Sequence, residues 1–313
     1  FFIIIMIYIL VGLPSFEKEI SQNRVTLLHY LNSLPFYTLI TPQDSFPILT
    51  PSDIVLVFMI RVYNHPSTES IVPLLDKLEN HDPRSIFFYI EDFYNIPKIN
   101  LFCKKYRVQN VIFSIRHELL QKKLLSYDKS YRIFFLEHYL SLDMFPKTTP
   151  PKEYDILFYG NTISYYYPLR DYLKKIFSSR KKEFRVKIIP LKSYQLDESS
   201  IIQNKLYDEI SKSHLTVASS SKFDFFVKKY QEIPLSGSMI LGNIPKDYDN
   251  ILSTNDIVHV TTSMHPDEII EKVRWALSNP KDIETKVKQL QERFQNLFEL
   301  SKVHEHLQSI LTC

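Results

Sequence analysis

The chain has 313 residues, of which 44% are hydrophobic and 23% charged, a composition typical of a folded globular protein. Its length predicts two domains, and its net charge of +3 is too small to indicate a nucleic-acid-binding protein. The two cysteines, Cys103 and Cys313, lie far apart, which excludes a disulfide scaffold and a cysteine-based metal site. The ten histidines form no HExxH motif, and the few cysteines fit a reducing compartment such as the cytoplasm.

The chain opens with an apolar run, "FFIIIMIYILVGLP", which extends 13 residues to Leu13. A helix needs roughly 18 to 20 apolar residues to span a bilayer, so this run is too short. The run is rich in β-branched and aromatic residues, so it predicts a buried parallel strand, and no membrane contact is predicted. Because the chain does not begin with Met, the end of a longer membrane anchor, and hence membrane association, remains an alternative.

Short apolar runs alternate with amphipathic stretches through the first half of the chain. The predicted strands are Ile3–Val11, Tyr37–Ile40, Ile54–Phe58, Ile86–Ile90, Val111–Phe113 and Ile133–Leu136. The predicted helices are Phe16–Leu34, Thr68–Glu79 and 116–125. This alternation is typical of a parallel, doubly wound sheet.

The segment "LDMFPKTTPPKEY", residues 142–154, holds three prolines in six residues and predicts a linker. The alternation restarts after it. The predicted strands are 154–161, 184–190, 215–219, 238–242 and 256–260, and the helices are Pro168–Phe177, Ile201–Lys212, Asp267–Leu277 and Ile283–Ile310. The fold prediction is therefore α/β, with two Rossmann-like domains, 1–147 and 148–313, facing a cleft.

The four glycines fall at predicted element ends. Gly12 and Gly160 end the first strand of each half, where parallel sheets bind ligands beyond the carboxyl ends of their strands. Neither lies in a GxGxxG motif, which disfavours NAD. In "KKYQEIPLSGSMILGN", Gly237 ends a predicted helix and Gly242 ends the strand after it.

The helix predicted before Gly237 carries a column of charges. Asp224, Lys228 and Glu232 are spaced four residues apart and share one helix face, with Lys229 beside them. A solvated surface face is the alternative interpretation. If the column instead faces a ligand cleft, replacing Glu232 or Lys229 should leave the melting temperature near that of the wild type.

The segment "DFFVKKYQEIPLSGSMILGN" resembles the acid-seven-acid segment of group 1 GT-B glycosyltransferases, in the branch similar to spore-protein glycosyltransferases. Three further segments agree with that family in order: "IFFYIEDF", "FFLEHYLSLDMFP" and "HPDEIIEKVRWALSNPKDIETKVKQLQERF". The resemblance implies an N-terminal acceptor domain and a C-terminal donor domain with terminal helices. It also implies transfer of sugar from a UDP- or GDP-sugar, with retained configuration and without metal, to a glycan, protein or lipid.

The resemblance assigns the two acids and the lysine between them. It implies that Glu232 accepts hydrogen bonds from the ribose hydroxyls and that Asp224 lies near the donor sugar as a catalytic residue. Asp224 departs from the family pattern, which usually has Glu. Lys229 matches a basic position that neutralises the leaving diphosphate.

Further donor residues follow from the same resemblance. Gly160 and Asn161 match the first turn of the donor domain near the diphosphate, and Arg170 matches a basic position on the next helix, with a surface arginine as the alternative. Ser219, in the loop "ASSSKFD", and Gly237 complete the predicted nucleotide-binding set.

The acceptor side is expected in the N-terminal domain. Glu91 and Asp92, at the end of a predicted strand, are the catalytic candidates there. His65 and His117 are weaker candidates, for which a structural role is the alternative.

Two other functions remain compatible with the sequence. A GT-A glycosyltransferase would hold a metal-bound donor through Asp247-Tyr248-Asp249, although "NIPKDYDN" reads as a turn. A non-catalytic two-lobed protein would bind a sugar or nucleotide with the same acids and turn nothing over.

Overall fold

The protein is described by a computed structural model with two compact units. The described residues are 5–12, 22–59, 66–90, 95–136, 142–189 and 199–313. Unit 1 comprises Phe1–Tyr139 and Leu300–Cys313, and unit 2 comprises Leu140–Glu299. None of the described helices is long and apolar enough to cross a membrane.

Within the described residues of unit 1, six strands form one parallel sheet in the order β2-β1-β3-β4-β5-β6. The strands are β1 Ile7–Val11, β2 Tyr37–Ile40, β3 Ile54–Met59, β4 Ile86–Ile90, β5 Asn110–Phe113 and β6 Arg132–Phe135. The opening apolar run thus contains a strand, as predicted. A strand with neighbours on both edges and helices over the sheet reads as a continuous apolar run because both of its faces are covered.

Five described helices belong to unit 1: α1 Gln22–Ser33, α2 Pro66–Asp76, α3 Ile96–Lys105, α4 Glu118–Leu125 and α10 Leu300–Leu311. Helix α3 was not predicted, although Ile96, Ile99 and Cys103 are buried at helical spacing. Asn95 caps its first turn by accepting a hydrogen bond from the Lys98 amide.

The last helix belongs to unit 1, whereas the predicted domains placed all terminal helices in the C-terminal half. The single helix predicted over Ile283–Ile310 is wrong, because Glu299 takes an extended ψ of 145° and separates two helices. Beyond that break α10 buries Val303, Leu307, Ile310 and Leu311 in the core of the first sheet. These residues lie on one face of α10, and their burial explains why the chain returns to unit 1.

Within the described residues of unit 2, five strands form a second parallel sheet in the order β11-β10-β9-β7-β8. The strands are β7 Tyr154–Tyr159, β8 Val186–Ile189, β9 Ser213–Ala218, β10 Met239–Gly242 and β11 Val258–His259. The helices are α5 Pro168–Ser178, α6 Ser199–Ser211, α7 Lys229–Leu235, α8 Pro266–Ser278 and α9 Pro280–Phe298. Two parallel sheets with helices confirm the predicted α/β class.

The proline-rich segment is attached to unit 2 rather than acting as a separate linker. Met144 and Phe145 are buried in the unit 2 core, where the Phe145 ring stacks on Tyr207 at 4.4 Å between centroids. The division between the units therefore falls at 139/140, ahead of the predicted 147/148 boundary.

The carboxyl ends of the parallel strands meet at one edge of the second sheet. Gly242 pairs there with Ala218, and a Cβ on Gly242 would lie 1.6 Å from the Ala218 carbonyl oxygen. No side chain fits that space, so Gly242 is required by the close approach of β9 and β10. The same edge carries the candidate site.

Candidate functional site

The turn after β7 places a glycine and a buried arginine at the carboxyl edge of the second sheet. Gly160 has a φ of +81°, a left-handed conformation that favours glycine. The side chain of Asn161 accepts a hydrogen bond from the Ile163 amide at 2.8 Å. Arg170, in the first turn of α5, donates to the Asn161 carbonyl oxygen at 2.6 Å.

Arg170 is an interior residue and not the surface arginine that the sequence left open. Its exposed fraction is 1%, and its guanidinium lies 4.1 Å from the centroid of the Tyr167 ring. A buried cation is costly unless hydrogen bonds and ring faces replace water, so this position is specifically supported. The positive charge of Arg170 therefore lies next to the Gly160–Asn161 turn.

Lys229, the first residue of α7, adds a second cation to this edge. Its ammonium donates to the Tyr159 carbonyl oxygen and lies 3.3 Å from the centroid of the Tyr159 ring. Burial lowers the pKa of Lys229 well below its usual value, and the charge of Arg170 lowers it further, while Glu232 acts in the opposite direction. A negatively charged ligand would relieve the repulsion between these two cations.

Glu232 is held by two tyrosines. The Tyr159 hydroxyl donates to Oε2 at 2.8 Å, and the Tyr207 hydroxyl donates to Oε1 at 3.2 Å. Burial, and then the charge of Glu232, raise the pKa of Tyr159 well above its usual value, so its hydroxyl remains a donor. With 8% of its surface exposed, Glu232 is an interior residue, and the Lys228 ammonium lies 3.7 Å from its Oε1.

The predicted column of charges does not exist as one helix face. Helix α7 begins at Lys229, and Asp224 lies before it in a loop, with a φ of 61°. Asp is among the few residues that tolerate this left-handed conformation, and its carboxylate accepts a hydrogen bond from the Lys246 amide at 3.1 Å. The helix prediction for Asp224 is therefore wrong, although Lys228 and Glu232 do share a face.

Ser219 lies at the carboxyl end of β9, whereas Gly237 lies before the amino end of β10. Ser219 follows β9 at the carboxyl edge and is fully buried, and its hydroxyl has no hydrogen-bond partner among the described residues. Gly237, with a φ of +81°, ends α7 and precedes β10, and its carbonyl oxygen accepts a hydrogen bond from Lys152 at 2.6 Å. Gly237 is therefore at the amino edge, away from Gly160.

Lys222 joins two loops at the carboxyl edge of the second sheet. The Lys222 amide donates to the Tyr166 carbonyl oxygen at 2.8 Å, which ties the loop after β9 to the loop after β7. The Lys222 ammonium lies 3.2 Å from the centroid of the Tyr165 ring. The loops that carry Asn161 and Asp224 are thus held together by backbone and cation–π contacts.

Of the four predicted acceptor-side residues, only His117 lies within the described residues. Glu91, Asp92 and His65 lie outside the described residues. His117 is buried before α4, where its carbonyl oxygen accepts hydrogen bonds from the first-turn amides. This position supports the structural role for His117.

Sequence reasoning missed the tyrosine partners of Glu232. Tyr159 ends β7 and Tyr207 lies on α6, so only the fold brings them to the carboxylate. The chain contains 20 tyrosines, and nothing in the sequence distinguishes these two.

The Asp247–Asp249 motif does not end a strand. It lies in and after a one-turn 3-10 helix, Lys246–Tyr248, beyond the end of β10. Among the described residues no group of three or more His, Cys, Asp or Glu side chains could hold a metal ion.

Two parallel sheets with helices fit the predicted GT-B class of fold, and solved glycosyltransferases that share the fold support this prediction at the level of the fold. No known protein-family model matches the chain, and no curated protein matches it in sequence. The evidence for the class is therefore structural.

Solved glycosyltransferases are similar to this chain over nearly its whole length. An alpha-glucosyltransferase in complex with UDP and DNA has a TM-score of 0.63 at 9% identity, covering 98% of this chain and 99% of that chain. Sucrose-phosphate synthase from Thermosynechococcus elongatus has a TM-score of 0.62 at 10% identity, covering 98% of each chain. The Anabaena protein HepE in complex with UDP and glucose has a TM-score of 0.56 at 9% identity, covering 98% and 99%.

Proposed function

We propose that this protein is a glycosyltransferase that moves a sugar from a nucleotide-sugar donor to an acceptor hydroxyl. The observation that carries the proposal is the pair of cations, Arg170 and Lys229, at the carboxyl edge of the second sheet in a GT-B fold. The alpha-glucosyltransferase and HepE were solved with UDP, which supports a UDP-sugar over a GDP-sugar as the donor.

The two cations suit a leaving nucleoside diphosphate. Charge develops on the diphosphate as the glycosidic bond breaks, and fixed cations in a partly dry site stabilise it strongly. Burial and the neighbouring Arg170 lower the pKa of Lys229 in the free protein, and an anion bound here would raise it by favouring the charged ammonium. The Gly160–Asn161 turn brings backbone close to the same edge.

Glu232 suits the ribose. A carboxylate offers about four lone-pair sites on its two oxygens, and the tyrosine hydroxyls of Tyr159 and Tyr207 occupy one on each. The Lys228 ammonium also approaches Oε1, at 3.7 Å, and the remaining sites can accept hydrogen bonds from two vicinal hydroxyls. The tyrosines hold the carboxylate in one orientation, which lowers the entropic cost of binding.

The remaining assignments complete the proposal. Asp224 lies in the loop after β9 and would act beside the transferred sugar, and Ser219 would donate its free hydroxyl to the donor. Glu91 and Asp92 would act on the acceptor, a glycan, protein or lipid. Transfer would retain configuration and use cationic side chains rather than a metal.

Release of nucleoside diphosphate from a panel of UDP- and GDP-sugars, with and without simple sugar acceptors, tests the proposal. Asp224→Asn keeps the hydrogen bond to the Lys246 amide and should bind UDP but turn over at least tenfold more slowly. Asp249→Asn, in the Asp247-Tyr248-Asp249 motif of the GT-A alternative, serves as the control and should turn over at the wild-type rate. Binding of nucleotide sugars without any turnover would instead favour the non-catalytic two-lobed protein.

A further inference from the structure

The chain's single tryptophan, Trp275, lies on the surface of unit 2. It belongs to α8, and 49% of it is exposed, while Ile269, Ile270, Val273 and Ala276 cover the opposite, buried face of that helix. A large aromatic side chain gains most from burial, so an indole left half-exposed is informative. Its position coincides with a pocket.

The pocket has a volume of about 700 Å³ and lies between β11, α8 and the start of α9. Trp275 forms part of the pocket wall. The ammonium of Lys286, on α9, lies 5.9 Å from the centroid of the Trp275 ring. Ligand pockets in proteins typically measure about 300 to 1,000 Å³ and combine an apolar surface with a few polar groups. The pocket shares no residue with the candidate donor site.

The charges around this pocket balance. Glu268 and Glu271 contribute two negative charges, and Lys272 and Lys286 contribute two positive charges. Glu271 is bonded to Arg274, whereas neither Glu268 nor Lys272 forms an ion pair within the described part of the chain. A pocket without net charge offers no electrostatic advantage to a phosphate or a carboxylate.

The uncharged polar groups of the pocket both donate and accept hydrogen bonds. Asn255 carries an amide, Thr254 a hydroxyl and His259 an imidazole. Burial, followed by the charge of Lys272, lowers the pKa of His259, which favours the neutral ring with one donor and one acceptor. A ligand covered with hydroxyl groups matches this set, because each hydroxyl also donates and accepts.

We propose that this pocket is a second, non-catalytic binding site for a neutral saccharide, with a sugar ring lying against the indole of Trp275. The axial hydrogens of a sugar present an apolar face to the ring, and its hydroxyls bond to Asn255, His259 and Thr254. The assignment rests on unit 2 alone and does not depend on the proposed transferase activity.

The single tryptophan is a direct reporter of this site. Titration of the protein with neutral disaccharides (maltose, cellobiose and N,N′-diacetylchitobiose) and no nucleotide should change the tryptophan emission of Trp275 in a saturable way for at least one sugar. Asn255→Ala, which leaves the reporter in place, should weaken that binding about tenfold, the effect of one lost hydrogen bond. Leu297→Ala, an exposed position on α9 outside the pocket, should leave it unchanged.

Two further measurements separate this site from the donor site. Glu232→Gln should retain the saccharide response in full, and Trp275→Ala should lose saccharide binding by calorimetry while keeping UDP binding. Absence of any emission change up to tens of millimolar sugar would overturn the assignment. An equal response in Asn255→Ala, or a response to inorganic phosphate but not to sugar, would also overturn it.

Discussion

The carboxylate of Glu232 has a structural role as well as the proposed ribose contact. Tyr159 and Tyr207 both donate to it from within the core of unit 2. The expectation that replacing Glu232 leaves the melting temperature unchanged assumed a cleft-facing, weakly packed side chain. The tyrosine contacts contradict that assumption, and the consequence is measurable.

Glu232→Gln should lower the free energy of unfolding by about 1 to 3 kcal/mol, because a buried amide oxygen replaces a charged acceptor and one tyrosine hydroxyl is left without its partner. Urea unfolding measures this. The variant should also bind uridine and UDP about ten- to a hundredfold more weakly, since both contain ribose. Tyr207→Phe keeps the carboxylate and its bond from Tyr159, so it should lose stability and weaken binding less than Glu232→Gln does. Wild-type binding by Glu232→Gln would contradict the ribose assignment.

Lys229 is assigned to the diphosphate, so its replacement should discriminate between ligands. Lys229→Ala should weaken UDP binding by about tenfold or more, the effect of losing a charged partner, and should leave uridine binding nearly unchanged. Lys228→Ala is the comparison variant, because Lys228 lies 3.7 Å from Oε1 of Glu232, the proposed ribose carboxylate, so its loss should affect uridine and UDP alike. Calorimetric titration measures the binding of uridine and UDP to both variants. Equal losses of uridine and UDP binding in Lys229→Ala would exclude the charge role.

Lys152 gives a prediction for stability against pH at the other edge of the sheet. It donates to the Ser211 and Gly237 carbonyl oxygens, and burial lowers its pKa to about 8 despite the charge of Glu284. Between about pH 8 and 10.4 the unfolded chain binds the proton that the folded chain has lost, so stability rises with pH. Relative to Lys152→Met, the wild type should gain about 1.6 kcal/mol of unfolding free energy between pH 8 and 9.5 in urea unfolding. Parallel pH profiles would contradict this.

At the scale of elements, the pairing of β9 and β10 depends on one glycine. Gly242→Ala forces a Cβ against the Ala218 carbonyl oxygen and should cost about 3 kcal/mol or more, because the clash is with backbone that cannot rotate away. Gly237→Ala is the control. Its Cβ would lie 3.4 Å from Thr149, so only its left-handed φ is strained, at about 1 kcal/mol. Similar melting temperatures for the two variants would show that β9 and β10 can separate.

At the scale of the whole molecule, the proposal requires no metal. Transfer should persist in EDTA at a rate close to that without chelator, because Arg170 and Lys229 supply the positive charge that the leaving diphosphate needs. The measurement is nucleoside diphosphate release with and without EDTA. Loss of activity in EDTA that Mn²⁺ or Mg²⁺ restores would contradict the proposal and favour a metal-bound donor at Asp247 and Asp249.

The sequence by itself determined the class of fold and pointed to several members of the candidate site. Strand–helix alternation predicts parallel sheets because a parallel connection needs a crossover, and the apolar runs of β1 and β3 indicate strands covered on both faces. The family resemblance located Glu232, Lys229, Arg170 and the Gly160 turn, all of which lie at one sheet edge.

Only the tertiary structure decided what these side chains contact. Periodicity places Asp224 on a helix, but the backbone turns at Asp224 before α7 begins, and its carboxylate bonds the Lys246 amide, which is distant in sequence. The tyrosines of Glu232 come from β7 and α6, far apart in the chain, and α10 leaves α9 because its apolar face is buried by the other sheet. Local pattern specifies which element forms, whereas burial between distant segments specifies which side chains meet.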